Sequence, residues 1–149
     1  MNHIIHKNLE PVRMLYSCTA GQQVPMIGAV VPAGFPSPAQ DYIEDVLDLN
    51  ELLIQHPAAT YFVRVEGYSM LNAGIYPEDI LIVDRSLDAV NGKIVIAVVD
   101  GEFTVKRLHI DKKGVCFLMP DNPDYEPVRI HEGMDFSIWG VVTNVIHKL

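Results

Sequence analysis

The chain has 149 residues, about half of them hydrophobic and 20% charged, so it is one ordinary globular domain able to bury a core. Its formal net charge is −8, from 11 basic against 19 acidic residues, which argues against a protein that grips phosphate backbones through a basic face. Two cysteines, Cys18 and Cys116, give neither a disulfide framework nor a metal spacing, and fit a reduced, cytoplasmic setting. The start, Met1-Asn2-His3-Ile4-Ile5-His6-Lys7, lacks the apolar core of a signal peptide. The longest apolar stretches, such as Ile94 to Val99, have strand length and do not span a membrane.

Residues 1–40 carry Pro11, Pro25, Pro32, Pro36 and Pro38, half of the chain's 10 prolines, and show no sustained helical period. They read as an extended arm. Its most distinctive part is Pro32-Ala33-Gly34-Phe35-Pro36-Ser37-Pro38, where the prolines fix φ and bias their neighbours toward extended geometry. The body is expected over 41–149. Asp48-Leu49-Asn50-Glu51 predicts a capping box with Asp48 as N-cap and Glu51 at N3. Leu49, Leu52 and Leu53 then form an apolar stripe, and Pro57 ends the helix.

From there the pattern is strand after strand: Tyr61 to Val65, Ile80 to Val83, Lys93 to Val99, Glu102 to His109, Val115 to Met119 and Ile138 to Ile146. Asn91-Gly92 and Asp100-Gly101 are turn dipeptides, the second predicting a tight hairpin. One short helix before many short strands implies a mainly-β domain with a small α component.

Two residues in this framework carry possible chemistry. Gly67-Tyr68-Ser69-Met70 follows a strand and precedes a short turn, where outward backbone N–H groups can hold a developing oxyanion. Alone, the tetrapeptide describes an ordinary turn serine better than a nucleophile. A nucleophilic serine needs a base. The histidines, His3, His6, His56, His109, His131 and His147, form no local motif with Ser69 and a carboxylate. The other option is an uncharged lysine, since burial disfavours the ammonium and frees a lone pair. Lys106 is the candidate: strand alternation puts Thr104, Lys106 and Leu108 on one face, and that face has no other charge. By itself, a strand lysine is as a rule a solvated one.

Taken together, six segments change the reading: Gly34-Phe35-Pro36-Ser37-Pro38-Ala39, Asp48 to Pro57, Gly67-Tyr68-Ser69-Met70, Asp79 to Asp84, Gly92 to Ala97 and Asp100 to Lys106. In order and spacing they resemble the LexA-like family of self-cleaving Ser–Lys peptidases, and within it the UmuD-type subunits of mutagenic polymerases. Ser69 and Lys106 stand 37 positions apart, as that pattern requires. The resemblance runs from about Gly34 to the end. It implies a LexA/signal-peptidase-like β domain behind the arm, with Ser69 as nucleophile and Lys106 as general base. It further implies an oxyanion hole from the Ser69 and Tyr68 N–H groups and a scissile bond at Ala33-Gly34, cut by the chain itself.

In biological terms, the resemblance implies the SOS response to DNA damage. It implies that a RecA–single-stranded DNA filament stimulates cleavage and that the shortened homodimer joins a UmuC-like Y-family polymerase in translesion synthesis. No cofactor, metal or membrane is expected. No helix-turn-helix domain is visible either, so operator binding is not expected. Two departures stand out: Tyr68 occupies a position that is often acidic in this family, and Glu78-Asp79 replaces an expected Gly-Asp turn. The alternative reading is a non-catalytic β-rich interaction subunit that controls a polymerase by binding alone. Retention of Ser69, Lys106 and Ala33-Gly34 together argues against it, and the lack of membrane anchors argues against a signal peptidase.

His3 and His6 read as part of a disordered terminus, and Asp41, Glu44, Asp45 and Asp48 as a solvated acidic face. Met70, Met119 and Met134 read as core filler, and Trp139 as a core or dimer-interface aromatic.

Overall fold

Runs of β-branched and aromatic residues punctuated by glycine turns leave the chain little choice but antiparallel strands. A computed structural model of the chain describes residues 12–13, 23–27, 31–36, 38 and 43–149. His3, His6, Pro11, Cys18, Ser37, Ala39 and Asp41 lie outside the described residues, as does the Glu44 side chain. The strands in chain order are β1 (Val12–Arg13), β2 (Gln23–Ile27), β3 (Ile43–Asp48), β4 (Thr60–Arg64), β5 (Ile80–Asp84), β6 (Ile94–Val99), β7 (Glu102–Ile110), β8 (Cys116–Met119), β9 (Val128–Arg129) and β10 (Phe136–Ile146). The helix α1 spans Leu49–Leu53, and 3-10 turns cover Pro57–Ala59 and Leu71–Ala73. The expected mainly-β class holds.

The chain forms two compact units. One contains β2, β3 and α1 within Tyr16–Gln55; the other contains β1 and His56–Leu149. In the smaller unit, β2 and β3 pair antiparallel, so the ladder joins residues on both sides of the expected 40/41 boundary. Pro25 sits in β2 opposite Val46, tolerable because the sheet has only two strands and each is an edge. Asp48 caps α1 by accepting a hydrogen bond from the Asn50 N–H at 2.9 Å, one residue short of the N3 bond a capping box needs. The helix stops at Leu53, before Pro57, because Ile54 is already extended. Its stripe is not a core face: Leu49 and Leu52 are more than half exposed.

In the larger unit, eight strands run in the order β1-β4-β5-β10-β6-β7-β8-β9. Alternation divides the sheet's side chains between two apolar clusters. Ile94 and Ile96 of β6 join Val63, Leu81, Val83 and Val105 in one cluster, while Val95 and Ala97 join Leu108, Leu118 and Val141 in the other. Asp100-Gly101 closes the β6–β7 hairpin as predicted, with Val99 opposite Glu102. Strand β10 slips register between Ile138 and Gly140, leaving Trp139 as the extra residue of a bulge. The bulge turns Trp139 into the first cluster, 5.3 Å from the Tyr61 ring and edge-on to Phe103 at 5.9 Å, with the Arg85 guanidinium 4.6 Å from its ring centroid. Gly140 follows because a side chain has no room: an added Cβ would lie 2.6 Å from Val83 Cγ1. Met70 is core filler, 2% exposed, in agreement with its sequence reading. Among the described residues, no helix is long and apolar enough to cross a membrane.

Candidate active site

Strand β4 hands the chain to a sharp turn. Gly67 takes φ 86°, a left-handed conformation that side chains resist. Met70 plugs into the first apolar cluster, and the 3-10 turn Leu71–Ala73 follows. Between these anchors, Tyr68 turns outward, 56% exposed, while Ser69 is buried at 3%. Among the described residues, neither the Tyr68 nor the Ser69 N–H donates to a protein acceptor.

Lys106 comes from the middle of β7, opposite Val95, and is 6% exposed. Its Nζ lies 3.1 Å from Ser69 Oγ, 2.9 Å from Thr104 Oγ1 and 3.0 Å from the Val105 carbonyl oxygen. All three neighbours are uncharged. An ammonium would donate to all three. A neutral amine has two hydrogens and one lone pair; with the hydrogens on Thr104 and the Val105 carbonyl, the lone pair is left facing the Ser69 hydroxyl. Burial lowers the Lys106 pKa from 10.5 to about 8. Roughly one amine in ten is therefore neutral at pH 7, against fewer than one in a thousand for a solvated lysine.

Beside the amine opens a cleft of about 500 Å³, lined in part by Phe103, Thr104, Leu118, Val128 and Met134. Its walls are mostly apolar, with Lys106 as the lining residue that reaches Ser69. Such a cleft suits an extended, weakly polar peptide.

The remaining sequence candidates fall elsewhere. Ala33 and Gly34 belong to the smaller unit and sit in an exposed bend, Ala33–Phe35, outside either strand. A Cβ on Gly34 would meet nothing within 4 Å, and its φ is not left-handed. Two histidines pair with buried carboxylates at opposite ends of β5: His56 Nδ1 with Asp84 Oδ2 and His147 Nδ1 with Asp79 Oδ1, both at 2.6 Å. Burial works to raise the Asp84 pKa, but hydrogen bonds from Ser86 and His56 outweigh it and hold the carboxyl below its usual range. Among the described residues, no histidine hydrogen-bonds Ser69, and no three His, Cys, Asp or Glu side chains converge on a metal position. Cys116 is a free thiol whose pKa burial raises.

Two further residues lie near Ser69. Thr104, which the i, i+2 spacing puts on the lysine's face, holds the Lys106 amine. Asn122, in a Pro- and Asp-rich loop without a local sequence signal, donates to the Tyr68 carbonyl at 2.8 Å.

The family model described as Peptidase S24-like matches residues 25–143. The chain is 48% identical over 124 residues to Protein SamA of Salmonella typhimurium strain LT2, covering 83% of this chain and 85% of that protein. It is 49% identical over 115 residues to Protein MucA of Escherichia coli, covering 76% and 77%. Against the LexA repressor of Hahella chejuensis the identity is 40% over 138 residues, covering 92% and 68%.

Proposed function

Because the chain belongs to the Peptidase S24-like family, we propose that it is a self-cleaving serine endopeptidase that cuts its own arm at Ala33-Gly34. The observation that carries this reading is the buried Lys106 amine 3.1 Å from Ser69 Oγ. Neutral Lys106 takes the hydroxyl proton as Ser69 Oγ attacks the Ala33 carbonyl carbon. The resulting oxyanion is met by the N–H groups of Ser69 and Tyr68. As the C–N bond breaks, the lysine ammonium returns the proton to the leaving Gly34 amine. Ala33 is left as an ester on Ser69. Water, deprotonated by Lys106, then releases residues 1–33 as a free carboxylate and restores the serine. Residues 34–149 are the other product.

Physical tethering supports the economy of this arrangement. A substrate carried on the same chain, or on a dimer partner, is present at high effective concentration, so a modest catalyst suffices. Residues 1–40 act as the regulatory arm and 41–149 as the peptidase and dimerisation region. By the same family likeness, a RecA–single-stranded DNA filament stimulates the cut in the cytoplasm during the SOS response. The shortened homodimer then serves a UmuC-like translesion polymerase.

The test is incubation of the purified full chain across pH 6–11, with Ser69→Ala alongside. Cleavage after Ala33 is expected, absent in the variant, with a rate that rises through a midpoint near the Lys106 pKa of about 8. An intact chain at every pH, and also with RecA, single-stranded DNA and an ATP analogue, would reject self-cleavage in favour of a subunit that acts by binding alone.

A further inference from the structure

We propose that Asn122 is a positioning residue, aiming the Ser69 N–H at the oxyanion through the Tyr68–Ser69 peptide; this rests on the self-cleavage reading above. That peptide is one rigid plane. The described backbone contains no cis bond, so the Tyr68 carbonyl and the Ser69 N–H point in opposite directions from the same plane. Whatever fixes one fixes the other. The Tyr68 carbonyl accepts from Asn122 Nδ2 at 2.8 Å and, among the described residues, otherwise only from the Leu71 N–H at a long 3.4 Å.

The Asn122 amide is well placed to impose this orientation. It is 9% exposed, and its Oδ1 accepts from the Asp124 N–H at 3.0 Å. That second bond assigns the two ends of the amide: the oxygen faces a donor, so the nitrogen must face the Tyr68 carbonyl. The loop bearing Asn122 is itself tied to the nucleophile turn. The Asp121 carbonyl accepts from the Asn72 N–H at 2.8 Å, and the Asp121 N–H reaches Met70 Sδ at 3.4 Å. The Asp121 carboxylate is held by Arg107, whose Nε lies 3.1 Å from both of its oxygens. Arg107 is the neighbour of Lys106 on β7. One strand thus presents the base and, with the next residue, anchors the loop that orients the oxyanion donor.

Without the Asn122 donor, the peptide keeps only its weak 3.4 Å restraint and can rotate the Ser69 N–H out of line. The base is untouched, so the signature is a slower reaction at unchanged titration. The experiment measures self-cleavage of the full chain from pH 6 to 11 for the native sequence, Asn122→Ala and Asn122→Asp. Asn122→Ala is expected to lower the alkaline plateau about 10–100-fold while the midpoint stays at its native value. Asn122→Asp keeps the shape and the acceptor for Asp124 but loses the donor, and its plateau is expected to fall at least as far. A native plateau in Asn122→Asp overturns the proposal. So does an Asn122→Ala profile that recovers its plateau at higher pH, since the residue would then act through the amine. Loss of the folded state in both variants, read by circular dichroism, also overturns it, because Asn122 would be structural. Failure of the parent reading looks different: the native chain itself does not cut.

Discussion

The turn that carries Ser69 and the bend that carries Ala33-Gly34 are built in opposite ways. Around Ser69, the left-handed Gly67, the buried Met70, the Asn122 and Asp121 bonds and the Lys106 amine all constrain the same few residues. At the bend, Gly34 has open space around its missing side chain and Phe35 is 92% exposed. The Ser69 turn is over-determined by its own fold, while the bend is not. If Ala33-Gly34 is the bond cut, as proposed, any demand for small residues there comes from cleavage and not from the fold of the bend, so folding and cleavage are separable at the bend and entangled at the Ser69 turn.

Lys106→Met strikes the entangled side and should have the largest effect. Self-cleavage falls by roughly a thousandfold or more, as expected when the general base is lost. Stability moves the other way. The folded chain holds Lys106 at a pKa of about 8 against 10.5 for the solvated group, so between these values the unfolded state binds more protons and native stability rises with pH. Below that window, the buried cation costs the fold its full penalty. Lys106→Met should be about 1–3 kcal/mol more stable at pH 7 and should lose this rise toward alkaline pH. Urea unfolding at pH 7 and pH 10 reads both; a destabilised variant would mean that the amine's hydrogen bonds outweigh its desolvation.

Gly34→Val tests the separable side. Cleavage should slow by about 100-fold, the scale of a misplaced reacting group, while the urea midpoint stays native. Any matching loss of stability would show that the bend is constrained after all and would erase the contrast between the two regions.

The same contrast explains what could be read from the sequence. Strands β4 to β8 and β10 are visible to within about two residues because their alternation and turn dipeptides are local. The face shared by Thr104 and Lys106 is legible for the same reason. The β2–β3 ladder is not, since Pro25 argues locally against a strand and only the partner rescues it. β1 and β9 have two residues each, too few for any period. Asn122 to Tyr68, His56 to Asp84 and His147 to Asp79 are separated by 54, 28 and 68 positions, and nothing in a local pattern reports such proximity. The Ser69–Lys106 pair is legible only through the joint spacing of several segments, because neither Gly-x-Ser nor a strand lysine is distinctive alone.

Gly140→Ala probes packing on the larger unit away from the dyad. The new methyl would lie 2.6 Å from Val83 Cγ1 and 3.3 Å from Arg85 Cγ, and Val83 is fully buried. Relief requires a shift of β5 against the β10 bulge, at a cost of about 1–3 kcal/mol. A lower urea midpoint with cleavage retained in the folded fraction is the expected result. Native stability would show that the bulge can open without loss.

The smallest effect concerns Glu78, which stands where the family resemblance expects glycine and takes φ 72°. The turn is pinned there by the Glu78 N–H to the Val65 carbonyl at 2.9 Å and the Val65 N–H to the Asp79 carbonyl at 2.8 Å, so the backbone cannot relax out of it. A left-handed residue with a side chain costs about 1–2 kcal/mol, and glycine returns some of that by being more disordered when unfolded, about 0.4–1 kcal/mol. The Arg64–Glu78 pair, 3.8 Å apart and exposed on both sides, offers little to lose. Glu78→Gly should therefore stabilise the fold by about 0.5 kcal/mol, seen as a higher urea midpoint with an unchanged slope. A lower midpoint would mean that the ion pair matters more than the strain, and Arg64→Ala would then have to show the same loss.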